Sequence, residues 1–178
     1  MLIRKEEPKD YEIVFSVVKA AFDRAEHSDG NEHDLVNALR KGEAFIPDLS
    51  FVAETDGKIV GHIMFTKAKV GNHAVLVLAP LSVLPEYQGK GIGMSLIKKG
   101  HSIADKLGYE YSIVLGSETY YPKAGYVPAD SFGIKPPFDV PNENFMAYKI
   151  KENASDICGV IKYAKEFGIE SYKSSDCK

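Results

Sequence analysis

From Ala74 to Leu84 nearly every residue is apolar, and shortly afterwards three glycines, Gly89, Gly91 and Gly93, follow one another at two-residue spacing. An apolar run without alternation suits a strand covered on both faces. Downstream, Ile92, Leu96, Gly100, Ile103 and Leu107 share one helical face, and Gly108 can take the left-handed conformation that ends a helix. The segment therefore reads as a buried strand, a glycine turn and the N-terminus of a helix. Glycines without side chains let a ligand reach the backbone itself. The outward N–H groups and the positive end of the helix dipole, worth ~0.3–1 kcal/mol per charge at exposed sites, then make an anion cradle suited to a pyrophosphate.

Two better-known glycine motifs fail on spacing. No Gly-x-x-x-x-Gly-Lys-Ser/Thr run is present, so a Walker loop is excluded. A dinucleotide fold needs Gly-x-Gly-x-x-Gly, whereas Gly89-x-Gly91-x-Gly93 has the wrong third interval, and Glu110 falls before its strand rather than after it.

The 178 residues suffice for one domain with a full core. A formal charge of −3 and the absence of a basic tract argue against a nucleic-acid partner. No apolar run approaches the ~20 residues of a membrane span, and the N-terminus lacks a long apolar region, so a cytoplasmic location without membrane association is expected. Cys158 and Cys177 are too few and too far apart for a metal knuckle and read as free thiols.

Along the chain, Tyr11, Val14, Phe15, Val18 and Phe22 recur at helical intervals after Pro8, and Asn31 can cap a second helix carrying Leu35, Val36 and Leu39. Thr55-Asp56-Gly57 separates two strands, from Phe51 and from Ile59 to Phe65, as a hairpin. Pro80 cannot donate to a ladder, so the central strand should part from a neighbour near Leu81. Tyr111–Leu115 and Phe145–Ile150 read as further strands, Ser117–Ala124 as a short helix and Pro128 to Pro141 as a loop. In the tail, Ile157, Val160, Ile161 and Ala164 have helical spacing, while Gly159 and the β-branched residues favour a strand.

Gln88-Gly89-Lys90-Gly91-Ile92-Gly93 resembles the Gln/Arg-x-x-Gly-x-Gly/Ala signature of the GCN5-related N-acetyltransferases. Upstream, Leu78–Pro85 looks like the strand entering that loop; downstream, Tyr120–Tyr126 looks like the family's Tyr-x-Lys-x-Gly-aromatic segment. The likeness is greatest to the bacterial YhbS-like branch and covers approximately residues 1–150. It implies an α/β fold of one domain, with a mixed, mostly antiparallel sheet splayed at its central strands and helices on both faces. Residues 1–150 would form the acetyltransferase domain, with 151–178 an extended segment packing on it. Acetyl-coenzyme A would be the co-substrate, without a metal. Its pantetheine arm would lie along Leu81, Ser82 and Val83, and its diphosphate would sit on Gln88, Gly89, Lys90, Gly91, Ile92, Gly93 and Met94. The acceptor would be a primary amine of a small molecule or peptide, attacked directly; an acyl-coenzyme A sensor and a partner-docking module stay open as alternatives.

Transfer of acetyl to an amine needs an unprotonated nitrogen, yet a lysine-like amine of pKa about 10.4 is only around one part in a thousand neutral near pH 7.4. The leaving thiolate needs a proton as well, and the resemblance assigns that donor to Tyr121, with Tyr120 as the fallback and packing under the cofactor as the competing role. Glu54, His62, His73 and Glu118 are bases by residue type only, and none is singled out. From Asp23 to Asp34, five acidic residues face Arg24 alone, a pattern that suits either a solvated loop or an entrance for a cationic amine.

Overall fold

A computed structural model describes residues 1–26 and 28–169. In chain order the regular elements are β1 (Leu2–Lys5), α1 (Tyr11–Phe22), α2 (Glu32–Arg40), β2 (Phe45–Thr55), β3 (Lys58–Val70), β4 (His73–Val83), α3 (Ile92–Lys106), β5 (Tyr111–Leu115), β6 (Val127–Pro128), β7 (Ile134–Lys135), β8 (Phe145–Lys149) and β9 (Gly159–Lys162). The fold is mixed α/β with an open, mostly antiparallel sheet; parallel pairing is confined, among the described residues, to β4 with β5 and β7 with β9. Two compact units emerge, residues 1–66 with 79–103 and residues 67–78 with the described part of 104–178, and β3 and β4 each run through both.

In the first unit β1 pairs with β2 and β2 with β3, both antiparallel. Asp56 and Gly57 carry φ of +51° and +75° at the centre of the β2–β3 turn, the pair of positive angles that a tight two-residue hairpin needs to match strand twist. Side chains alternate across β3, and its two faces meet different helices. Gly61 and Phe65 face α3: a Cβ at Gly61 would lie 3.2 Å from Ile92 and Leu96, and one at Gly100 only 2.1 Å from the Phe65 ring. The missing side chains let α3 approach β3 closely, and this approach sets where the N-terminus of α3, and hence the glycine turn, stands.

The opposite face of β3 meets α2 through a buried polar network. Glu6, after β1, accepts hydrogen bonds from Arg40 of α2 and from Ser50 Oγ of β2 at 2.7 Å, while His62 Nε2 of β3 lies 3.5 Å from its carboxylate. Arg40 is also held by Asn37 Oδ1 at 2.7 Å and lies over the Tyr11 ring at 4.0 Å. The Glu6 and Arg40 side chains are 1% and 5% exposed, so both charges depend on each other. Around them Val14, Val17, Val18, Val36 and Leu39 are buried, each worth about 1.5–3 kcal/mol if fully removed from water. Asn31 stands before α2 as the spacing implies, but its side chain makes no capping bond. Glu32 Oε1 instead accepts from Ser28 Oγ at 2.7 Å and Asp29 N at 3.1 Å, which holds the turn entering the helix.

In the second unit β4 pairs in parallel with β5, β5 with β8 and β6 with β8, while β9 pairs with the end of β3 and with β7. The register between β4 and β5 covers only Leu76↔Ser112 and Val77↔Ile113, and β4 continues to Val83 beyond it. Several local expectations are corrected. Only Tyr121–Ala124 of the Ser117–Ala124 stretch is helical, as a short 3₁₀ turn around Pro122. Residues 128–141 are not a plain loop, because β7 lies within them and pairs with β9. In the tail, by contrast, residues 159–162 form a strand, the extended alternative that Gly159 and the β-branched residues favour. Leu107 is 45% exposed, since α3 ends at Lys106 and leaves it outside the apolar face. Cys158 is disulfide-bonded rather than free, and Cys177 lies outside the described residues.

Candidate functional site

The glycine turn has the geometry of an anion cradle. Gly89 and Gly91 adopt φ of +75° and +83°, and a side chain at either would enter open space. Other residues reach this region only at a cost, so glycine here serves the backbone conformation. Ser95 N and Oγ both donate to Gly91 O, which closes the first turn of α3. Upstream of Ser95 the amides are uncommitted: among the described residues, no N–H from Gly89 to Met94 donates to a protein acceptor. A helix leaves its first N–H groups unpaired, and here the preceding turn extends that row. Gly89, Lys90 and Gly91 are exposed, whereas Ile92 and Gly93 are buried as the helix enters the core.

The neighbouring groups shape this row. Gln88 spends its side-chain amide on Val83 O at 3.0 Å, tying the strand end to the turn. Lys90 Nζ lies 5.1 Å from the Tyr87 ring centroid, and Lys58 Nζ lies 5.8 Å from the same ring. Neither ammonium has an ion-pair partner among the described residues, so two cations stand by the cradle. Ser82 is buried and its hydroxyl has no partner, while Leu81 and Val83 are half-buried at the end of β4. All ten residues expected to hold the cofactor, Leu81 to Val83 and Gln88 to Met94, thus lie in one continuous segment of the first unit.

Tyr121 belongs to the second unit. Its ring lies across Gly116, and it meets Tyr120 and Tyr126 edge-on at centroid distances of 5.2 and 5.7 Å. The fully buried Tyr126 is anchored by its hydroxyl, 2.8 Å from Ser112 Oγ. No hydrogen bond to the Tyr121 hydroxyl is made among the described residues. Burial, reinforced by the neighbouring Tyr120, pushes the Tyr121 phenol well above its ordinary value, so it carries its proton throughout the neutral range.

The bases suggested by residue type are dispersed. Glu54 is paired with Arg4 at 2.9 Å, Glu118 accepts from Asn144 at 2.9 Å, His73 is exposed at the start of β4, and His62 is enclosed in the Glu6 network. Sequence reasoning missed that network, because nothing about the spacing of Glu6, Arg40, Ser50 and His62 links them before the strands are paired. Between α1 and α2 a cavity of about 170 Å³ is lined by Phe22, Asp23, Ser28, Glu32 and His33 together with Lys19, so the acidic loop is not purely solvated. No cluster of three or more His, Cys, Asp or Glu suited to a metal is found among the described residues, and no described helix is long and apolar enough to cross a membrane.

Residues 47–128, which span β2 to β6 and contain the cradle and Tyr121, match the family model of the acetyltransferase (GNAT) domain. A GNAT family acetyltransferase from Brucella melitensis, solved in complex with acetyl-CoA, superposes with a TM-score of 0.76 at 31% identity over 93% of this chain and 97% of its own. The chain belongs to the GCN5-related N-acetyltransferase family. A second GNAT structure, YhbS of Escherichia coli in complex with CoA, gives a TM-score of 0.82 at 25% identity over 94% of this chain and 91% of its own. By sequence, the uncharacterized N-acetyltransferase YjhQ of Escherichia coli is 42% identical over 118 residues, 64% of this chain. That match spans 65% of YjhQ's length.

Proposed function

We propose that the protein transfers acetyl from acetyl-coenzyme A to a primary amine by direct attack. The observation that supports it most is the row of uncommitted N–H groups from Gly89 to Met94, on a GNAT fold whose Brucella relative is solved with acetyl-CoA. The row would hold the diphosphate; Lys90 adds a cation beside it, and the backbone of Leu81, Ser82 and Val83 would pair with the amides of the pantetheine arm.

In this reading the neutral amine nitrogen attacks the thioester carbonyl, and the N–H of Val83 polarises the oxygen as it gains charge. The C–S bond then breaks, the thiolate takes the phenolic proton of Tyr121, the nitrogen loses its extra proton to solvent, and the Tyr121 phenolate regains a proton from solvent before the next turnover. Burial keeps this phenol in its protonated form at neutral pH, so the proton is present when the thiolate leaves. No covalent intermediate on the protein is involved. The cavity between α1 and α2, with Asp23 and Glu32 in its lining, supports an acceptor carrying positive charge elsewhere in the molecule.

Thiol release from acetyl-coenzyme A, measured with spermidine, L-lysine, tyramine, an aminoglycoside and a peptide amine, tests this directly. Turnover of at least one amine is expected, with Tyr121→Phe reducing kcat at least tenfold and leaving acetyl-coenzyme A affinity within twofold. Tight binding without any turnover would favour an acyl-coenzyme A sensor. Unchanged kcat in Tyr121→Phe would remove Tyr121 from the chemistry.

A further inference from the structure

We infer that Gly116 and Tyr126 are positioning residues that fix the Tyr121 phenol, Gly116 by leaving its own side-chain space to the ring and Tyr126 by bracing the ring's edge. This inference rests on the reading of Tyr121 as proton donor, and it concerns two residues packed against the Tyr121 ring.

Gly116 follows β5 directly. A Cβ built there would lie 2.4 Å from Tyr121 Cε2, 3.0 Å from Cδ2 and 3.4 Å from Cζ, so the ring occupies the volume that any other residue would need. The backbone gives no separate reason for glycine, because Gly116 is absent from the residues with positive φ. Nor is the backbone free to withdraw. Gly116 N donates to Asn144 O at 2.9 Å, and Asn144 Nδ2 donates back to Gly116 O at 3.1 Å and to Glu118 Oε2 at 2.9 Å. Relief of a clash at this position therefore falls on the Tyr121 ring.

The other walls of the slot are aromatic. Tyr126 meets Tyr121 at an interplanar angle of 77°, and its hydroxyl is bound to Ser112 of β5 in the buried interior, so it cannot drift outward as the ring is pushed. Tyr120 stands at 84° on a further side. Carbon contacts below about 3.4 Å are rare, so an alanine methyl at 116 must displace the ring edge by roughly 1 Å. A misplacement of that size at a reacting group can cost on the order of 100-fold in rate.

The test is a double-mutant cycle of wild type, Gly116→Ala, Tyr121→Phe and the double variant. It reads kcat by thiol release with the fastest amine of the panel, acetyl-coenzyme A affinity by calorimetry, and Tm. Expected is a 10- to 100-fold fall in kcat for Gly116→Ala, with affinity within twofold, and no further fall when the same change is made in Tyr121→Phe. The high-pH limb of kcat should also move down in Gly116→Ala, as the displaced phenol gains solvent, which a general loss of stability would not produce. Should Gly116→Ala fold poorly, Tyr126→Phe and Tyr126→Leu serve instead: the first keeps the ring but loses its tether to Ser112 and lowers kcat less than the second, which removes the wall, and neither has a further effect in Tyr121→Phe. If Tyr121→Phe is slow but the Gly116 or Tyr126 effect multiplies with it unchanged, the positioning inference is overturned and the donor assignment stands. If Tyr121→Phe is as fast as wild type, both fall.

Discussion

Replacing Arg40 by methionine should cost the fold about 3–5 kcal/mol at pH 7, the penalty for leaving one partner of a buried ion pair behind. Glu6 is then still enclosed, with its side chain 1% exposed, and keeps only Ser50 and His62 as partners. Methionine roughly fills the vacated stem volume, so the loss reports the charge more than a cavity. For a chain of this length each kcal/mol moves Tm by roughly 2–4 °C, which predicts a fall of roughly 6–20 °C by circular dichroism. The pH dependence adds a second check. Desolvation alone would raise the Glu6 carboxyl, but hydrogen bonding and charge from His62, with hydrogen bonds from Arg40 and Ser50, outweigh it and bring the pKa from 4.5 to about 2. A carboxyl depressed in the folded state contributes stability that is complete above pH 4.5 and lost as pH falls through about 2. At ~1.4 kcal/mol per unit, that contribution is about 3 kcal/mol. In Arg40→Met the acid loss should begin at higher pH, and adding Glu6→Gln should recover at least about 1 kcal/mol by removing the stranded charge. A cost under about 1 kcal/mol for Arg40→Met, with an unmoved acid limb, would refute this account of the network.

Three further outcomes follow from the geometry. Gly100→Ala places a methyl 2.1 Å from the buried Phe65 ring, so despite alanine's better helix propensity it should lose about 1–3 kcal/mol in urea unfolding. Burial lowers His101 from 6.5 to about 4; because the folded state resists its protonation, stability should decline as pH falls from 6.5 toward 4, and His101→Leu should flatten that stretch of the curve. Gly91→Val, at φ +83°, should weaken acetyl-coenzyme A binding at least tenfold by calorimetry while the protein remains folded, because it both strains the turn and screens the amides.

The parts of this architecture governed by local chemistry were legible before the fold was known. Asp56-Gly57 marked the β2–β3 turn, and the apolar run from Ala74 and the glycines after it marked β4, the cradle and α3. Those signals are read from neighbours in the chain. β1 was missed because Leu2–Lys5 is short, sits at an edge of the strand order and alternates weakly, so only its pairing with β2 defines it. β7 was hidden for the same reason, its partner being remote in sequence, whereas at β9 the strand signal of Gly159 and the β-branched residues competed with a helical spacing that pairing with β3 and β7 overrides. At the candidate site, the glycine turn could be read from its spacing, whereas Tyr121 could be named only through the family resemblance of the Tyr120–Tyr126 segment. The dependence of Tyr121 on Gly116 could not, since it arises from a ring folding back over a backbone position whose own φ asks for no glycine.

Backbone amide shifts in a ¹⁵N-labelled sample titrated with coenzyme A, and separately with acetylpantetheine, which lacks the diphosphate, give the most direct view of the cradle. Coenzyme A should move the N–H signals of residues 89–94 more than any others in their unit, and acetylpantetheine should leave them nearly in place. If saturating coenzyme A left those signals unmoved, or if both compounds shifted them equally, the diphosphate would not be held by this row of amides.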